Sequence, residues 1–111
     1  MTDSINLTIL DELKVLMEDD FSFLIETYIN DSDERIRALE DSIASSNSEQ
    51  IREVAHSFKG SSANLGAQPL ADKCFKLELM GRESSLSGVE DAFSELKAEY
   101  QEVRALMSSH I

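Results

Sequence analysis

The chain is organised around residues 55–66, which read Ala55-His56-Ser57-Phe58-Lys59-Gly60-Ser61-Ser62-Ala63-Asn64-Leu65-Gly66. Wound as an α-helix at about 100° per residue, this segment places its apolar side chains on one face and the His56 ring on the opposite face. Lys59 and Gly60 follow His56 by one helical turn, Ala63 follows it by two turns, and Arg52 precedes it by one turn. Because glycine inside a helix costs about 1 kcal/mol relative to alanine, Gly60 indicates that space is needed beside the histidine.

The pattern His-x-Phe-Lys-Gly-Ser-Ser-x-x-Leu-Gly, from His56 to Gly66, resembles the phosphorylation motif of histidine-containing phosphotransfer (HPt) domains of the stand-alone bacterial type. The resemblance implies that His56 is the phosphoacceptor, through Nε2, and that Lys59 and Gly60 support it. In HPt domains the histidine takes a phosphoryl group from the aspartyl phosphate of a receiver domain and can return it to another receiver. A lone surface histidine is otherwise most often just solvated, and the surrounding motif favours the phosphotransfer interpretation.

Two further charged residues are candidates for supporting the histidine. Glu78 stands where some members of the HPt family carry a Gln or Glu that hydrogen-bonds the other ring nitrogen of the histidine. A carboxylate that accepts from Nδ1 would fix the tautomer and leave Nε2 free; the alternative is an ordinary solvated glutamate between core and water. Arg52 would either steer the acidic pocket of a receiver or pair with Glu49.

Composition bounds the fold and the partners. With 111 residues, 41% of them hydrophobic, the chain suits a single HPt domain over residues 1–111. A formal net charge of -12 argues against nucleic acid and anionic membranes as partners. The single cysteine, Cys74, excludes an internal disulfide, and we recognise neither a signal peptide nor a membrane span. We therefore expect a cytoplasmic protein, as a monomer.

Hydrophobic periodicity predicts an all-α protein, an up-down-up-down antiparallel four-helix bundle with a short N-terminal capping helix. The predicted helices cover residues 6–18, 19–44, 48–65, 68–82 and 88–108. Asn6 or Thr8 would cap the first helix and Asn47 the third, while Gly66 would end the third in a left-handed conformation. The polar run at 30–34 is expected to continue the second helix with most sides facing solvent. Residues 81–88 are predicted to form a loop, and Cys74, Met80 and the phenylalanines to lie in the core.

The first helix carries more apolar surface than one packing contact needs. We interpret it as a lid over one end of the core or as a docking surface for the receiver. The predicted partner-binding residues are Leu10, Leu13, Met17, Phe21 and Ala63.

The chemistry argues for a phosphotransfer protein that is modified on histidine and is not an enzyme in the usual sense. Its isolated glycines form no phosphate-binding loop, so we expect no ATP-binding or autokinase site.

The predicted partners are the receiver domains of hybrid sensor kinases and response regulators. Mg²⁺ is expected only on the receiver, so we predict no cofactor and no metal site here. The alternative is a non-phosphorylated helical adaptor; a helical metalloprotein would need a pair of Glu-x-x-His motifs, whereas the sequence contains a single one, from Glu53 to His56. The start at Met1 and the set of five helices favour a stand-alone protein over a piece of a hybrid kinase.

Overall fold

A computed structural model describes residues 4–111, and these residues form five α-helices and no strand. The helices are α1 (Leu7–Met17), α2 (Asp20–Ala44), α3 (Ser48–Asn64), α4 (Gln68–Arg82) and α5 (Val89–Ser108). The predicted boundaries agree with these to within one residue at each end. The all-α prediction is confirmed by these five helices.

The helix ends follow from local side-chain chemistry. The side-chain oxygen of Asn6 accepts hydrogen bonds from the backbone N–H groups of Thr8 and Ile9, at 3.0 and 3.4 Å. Asn47 Oδ1 accepts from the backbone N–H of Gln50 at 3.1 Å and so begins α3. Gly66 follows α3 with φ +84°, a left-handed conformation that glycine adopts without steric cost. The predicted caps are confirmed at all three positions.

Four of the helices enclose the core. Helix α3 packs against α2 and α4, and α5 packs against α4 and α2, so the bundle closes. The antiparallel up-down-up-down order remains a prediction from the short connections. This order requires α2 and α5 to be antiparallel. The ion pairs of Asp33 with Arg104 and of Glu40 with Lys97 agree with it, because the residue numbers rise along α2 as they fall along α5. The largest fully buried side chains include Leu10, Ile25, Leu39, Ile51, Phe58, Leu70, Leu77, Leu96 and Met107.

Helix α1 packs on α2, and the segment before it is fastened to the end of α3, since the Asn6 N–H donates to the Gly66 carbonyl at 2.8 Å. This geometry corrects the predicted docking surface. Leu10 is fully buried and Phe21 is 3% exposed, so both residues belong to the core and are not accessible to a partner. Leu13 and Met17 are partly buried against that core.

The exposed apolar residues near this end of the chain are not the ones that the sequence predicted. Val15 is 79% exposed, Leu16 is 80% exposed and Phe23 is 72% exposed. Helix α1 has apolar residues on two sides, so periodicity could not tell which side would face the core. Two phenylalanines, Phe23 and Phe75, also contradict the prediction that the phenylalanines are buried.

The polar middle of α2 is continuous helix, as predicted, and most of it faces solvent, since Asn30, Asp31 and Glu34 are exposed. One side of this segment nevertheless turns inward. Ser32 is fully buried there. The Asp33 carboxylate accepts a hydrogen bond from Tyr100 Oη at 2.6 Å and forms an ion pair with the Arg104 guanidinium at 3.2 Å. Gly81, predicted as the start of a loop, lies within α4 and is buried against α3. No helix among residues 4–111 is long and apolar enough to cross a membrane.

Candidate functional site

The His56 ring lies on the outer face of α3, with 66% of the side chain exposed. Its Nδ1 is 3.0 Å from Oε2 of Glu78, which α4 brings against α3. An ionised carboxylate can only accept a hydrogen bond, so the imidazole donates through Nδ1–H and the lone pair of a neutral ring resides on Nε2. The arrangement fixes the ring orientation and leaves the exposed nitrogen able to act as a nucleophile.

Glu78 is a buried carboxylate, 2% exposed, at the centre of three cationic or donor groups. Lys59 Nζ forms an ion pair with Oε1 at 2.7 Å, and the Arg82 guanidinium donates to Oε2 at 3.0 Å. Burial by itself raises the pKa of the Glu78 carboxyl, but Lys59 and His56 together outweigh burial and hold that pKa below its ordinary value of 4.5. Glu78 is therefore ionised at neutral pH, and it is not the partly solvated glutamate that one interpretation of the sequence allowed.

The sequence prediction omitted two residues that contact this group. Arg82 follows Glu78 by four positions on α4, a helical ion-pair spacing that could have identified it. The ring of Phe75 lies with its centroid 4.8 Å from Lys59 Nζ, and the residue is 43% exposed. No pattern along the chain predicts that contact, because it joins α3 to α4.

Two glycines shape the surroundings of the histidine in opposite ways. A Cβ atom on Gly60 would meet no other atom within 4 Å, so nothing inside the chain requires glycine at that exposed position. A Cβ atom on Gly81 would lie 2.7 Å from the backbone nitrogen of Arg52 and from the carbonyl oxygen of Ser48. Gly81 therefore allows α4 to approach α3 closely, and this approach brings Glu78 within reach of His56.

The other predicted site residues are placed outside this hydrogen-bonded group. The Arg52 side chain is 40% exposed, and its ion-pair partner is Glu53, at 4.0 Å, in place of the predicted Glu49. Ala63 is partly exposed on α3. The structure thus brings together His56, Lys59 and Glu78, while the roles of all these residues stay predictions.

Other reactive side chains lie apart from the site. Among residues 4–111, no group of three His, Cys, Asp or Glu side chains is placed to hold a metal ion. Burial raises the pKa of the Cys74 thiol to about 12, so the thiol is protonated and unreactive at neutral pH. His110 Nδ1 donates to the Leu106 carbonyl at 2.9 Å near the end of α5.

The fold and the site define a helical bundle that presents one oriented, exposed imidazole. The family model of the Hpt domain matches residues 24–106. The chain belongs to the Hpt domain family, whose members are histidine phosphotransfer carriers that interact with receiver domains in phosphorelays.

The chain is also similar to a solved structure, the crystal structure of histidine-containing phosphotransfer protein B (HptB) from Pseudomonas aeruginosa PAO1. The two share 32% sequence identity at a TM-score of 0.94, over 99% of this chain and 96% of that chain. No curated protein matches the chain significantly in sequence.

Proposed function

We propose that this protein is a phosphorelay intermediate that carries a phosphoryl group on Nε2 of His56. The group would come from the aspartyl phosphate of one receiver domain and pass to the aspartate of another. In each transfer the P–N bond forms as the P–O bond to aspartate breaks, or the reverse. The observation that carries the proposal is the hydrogen bond from His56 Nδ1 to the buried Glu78 carboxylate, at 3.0 Å.

That hydrogen bond favours the transition state over the resting state. When Nε2 attacks phosphorus, the imidazole ring gains positive charge, and the proton on Nδ1 becomes a stronger donor. The Glu78 carboxylate already lies in place to stabilise this charge, so no reorganisation is needed when the reaction occurs. The low exposure of Glu78, 2%, strengthens the interaction because water does not screen it.

Lys59 would act on the transferring phosphoryl group, and Gly60 would make room for the receiver domain. The ammonium of Lys59 is held by Glu78 and keeps further donors for the oxygens of the transferring phosphoryl group, whose charge must be neutralised. The open space at Gly60 would admit the receiver, whose Mg²⁺ we expect to serve the transfer. The chain would need no ATP-binding site and no cofactor of its own, and we expect it to act as a cytoplasmic monomer.

The test is transfer of label from receiver domains charged with radioactive phosphate to the wild-type protein and to its His56→Gln variant. We expect label on the wild type alone, labile in acid and stable in alkali, as phosphohistidine is. Equal labelling of both proteins would exclude His56 as the acceptor. Absence of transfer from every receiver of the host would contradict the proposal and favour the helical adaptor.

A further inference from the structure

Phe75 is a large apolar side chain in an unexpected place. It lies on α4, one turn before Glu78, and 43% of it is exposed. Burial therefore does not explain its presence. Its ring centroid is 4.8 Å from Nζ of Lys59, within the range in which an ammonium is attracted to the face of an aromatic ring.

The contact places Phe75 next to the reacting groups. Lys59 Nζ binds Oε1 of Glu78 and His56 Nδ1 binds Oε2 of the same carboxylate, at 2.7 and 3.0 Å, so the ammonium and the imidazole are neighbours. Two pairs of residues one turn apart thus face each other, His56 and Lys59 on α3 with Phe75 and Glu78 on α4. The Lys59 ammonium thus has two contacts across the α3–α4 interface, the Glu78 carboxylate and the Phe75 ring.

A lysine side chain has about four rotatable bonds and loses much conformational entropy when it is held in one position. An ion pair with one carboxylate oxygen fixes the distance of the ammonium but not its direction. The Phe75 ring restricts the direction, because the ammonium contacts both the ring, with its centroid at 4.8 Å, and the carboxylate, at 2.7 Å. The Lys59 side chain remains 29% exposed, so we expect its ammonium to reach an anion that arrives at Nε2 of His56.

We propose that Phe75 is a positioning residue that holds the ammonium of Lys59 beside the phosphoryl site on His56. The inference rests on the proposed function and adds a residue that acts through Lys59. The competing role for an exposed aromatic ring is direct contact with the receiver domain. The two roles differ in their dependence on Lys59, because only the positioning role requires the lysine.

The first test measures phosphoryl transfer at saturating receiver for Phe75→Leu, with Phe75→Tyr as the matched control that keeps the aromatic face. We expect Phe75→Leu to lower the transfer rate about two- to fivefold, the range of a partly exposed cation–π contact, and Phe75→Tyr to keep the wild-type rate. In a Lys59→Ala background, Phe75→Leu should cause no further loss. An unchanged rate in Phe75→Leu, or an equal loss with and without Lys59, would overturn the proposal.

The second test does not depend on phosphoryl transfer, so it separates failure of this inference from failure of the proposed function. The ring current of Phe75 should shift the NMR resonances of the Lys59 Hε protons in the unphosphorylated protein. Phe75→Leu should return these resonances to the range of a free lysine, while Phe75→Tyr should preserve the shift. Identical Lys59 resonances in wild type and Phe75→Leu would overturn the proposed contact whether or not the protein accepts phosphate.

Discussion

At the scale of single residues, the site depends on one buried carboxylate with several partners. The spacing of His56, Lys59 and Gly60 could be predicted from the sequence, because all three lie on one helix with a known period. The position of Glu78 was expected from the family resemblance, but its burial was not. Burial depends on how closely α4 approaches α3, and the contact of Phe75 with Lys59 depends on the same approach. Sequence periodicity does not contain that distance.

The substitution Glu78→Ala should slow phosphoryl uptake by about tenfold, because it removes a charge-assisted hydrogen bond to the attacking ring. The bundle should keep its helical content. Rates are measured with a phosphorylated receiver domain, and helical content by circular dichroism. Glu102→Ala is the matched control, since it removes an exposed carboxylate from α5. Uptake by Glu78→Ala at the rate of that control would dismiss the orienting role.

At the scale of helices, the apolar period predicts each element to within one residue but does not decide how α1 uses its two apolar sides. Leu10 was predicted at a docking surface and is fully buried, whereas Leu16 is 80% exposed. Both choices satisfy the helical period, and only packing on α2 distinguishes them. The close contact of α3 with α4 at Gly81 was equally hidden, because a glycine near a helix end also predicts a loop.

The glycines on α3 and α4 should respond in opposite directions to the same substitution. Gly60→Ala adds a methyl group in open space and should stabilise the protein by up to about 1 kcal/mol through helix propensity. Gly81→Ala forces a methyl group to 2.7 Å from two backbone atoms of α3, and should destabilise it by about 1–3 kcal/mol. Urea unfolding followed by circular dichroism measures both. A stable Gly81→Ala variant would contradict the tight α3–α4 packing.

Gly60→Gln tests the space beside the histidine. The variant should keep the helical content of the wild type, because the side chain points away from the chain's own atoms. Its longer side chain should block the approach of the receiver and slow phosphoryl transfer. Wild-type transfer rates in Gly60→Gln, with Gly60→Ala as the control of smaller volume, would remove the steric argument.

At the scale of the whole molecule, an acidic bundle carries a local group of cations around one histidine. The chain has a net charge of -12, yet Lys59 and Arg82 both pair with the carboxylate beside His56. A second cross-helix group joins α2 to α5, where Arg104 and Tyr100 hold the pKa of Asp33 below its ordinary value of 3.8 although burial opposes this. Both carboxylates therefore link native stability to pH.

The sign of this linkage predicts acid sensitivity. A carboxyl whose pKa is lower in the folded state stabilises the protein above its unfolded-state pKa, and that contribution is lost as the pH falls through the folded-state value. For Glu78 the loss should begin near pH 4.5 and continue below it. Glu78→Gln should be less stable than wild type at pH 7, and the difference in unfolding free energy should narrow towards pH 3. Urea unfolding at both pH values measures it, and a difference independent of pH would contradict the assignment.

The most direct test of the account concerns the nitrogen that carries the phosphoryl group. The protein, labelled with ¹⁵N and phosphorylated by a receiver domain, is examined by NMR for coupling between phosphorus and the ring nitrogens of His56. The hydrogen bond from Nδ1 to Glu78 predicts phosphorus on Nε2, with the Nδ1 proton retained. Phosphorus on Nδ1 would contradict the central claim, because the Glu78 hydrogen bond would then have to break before transfer.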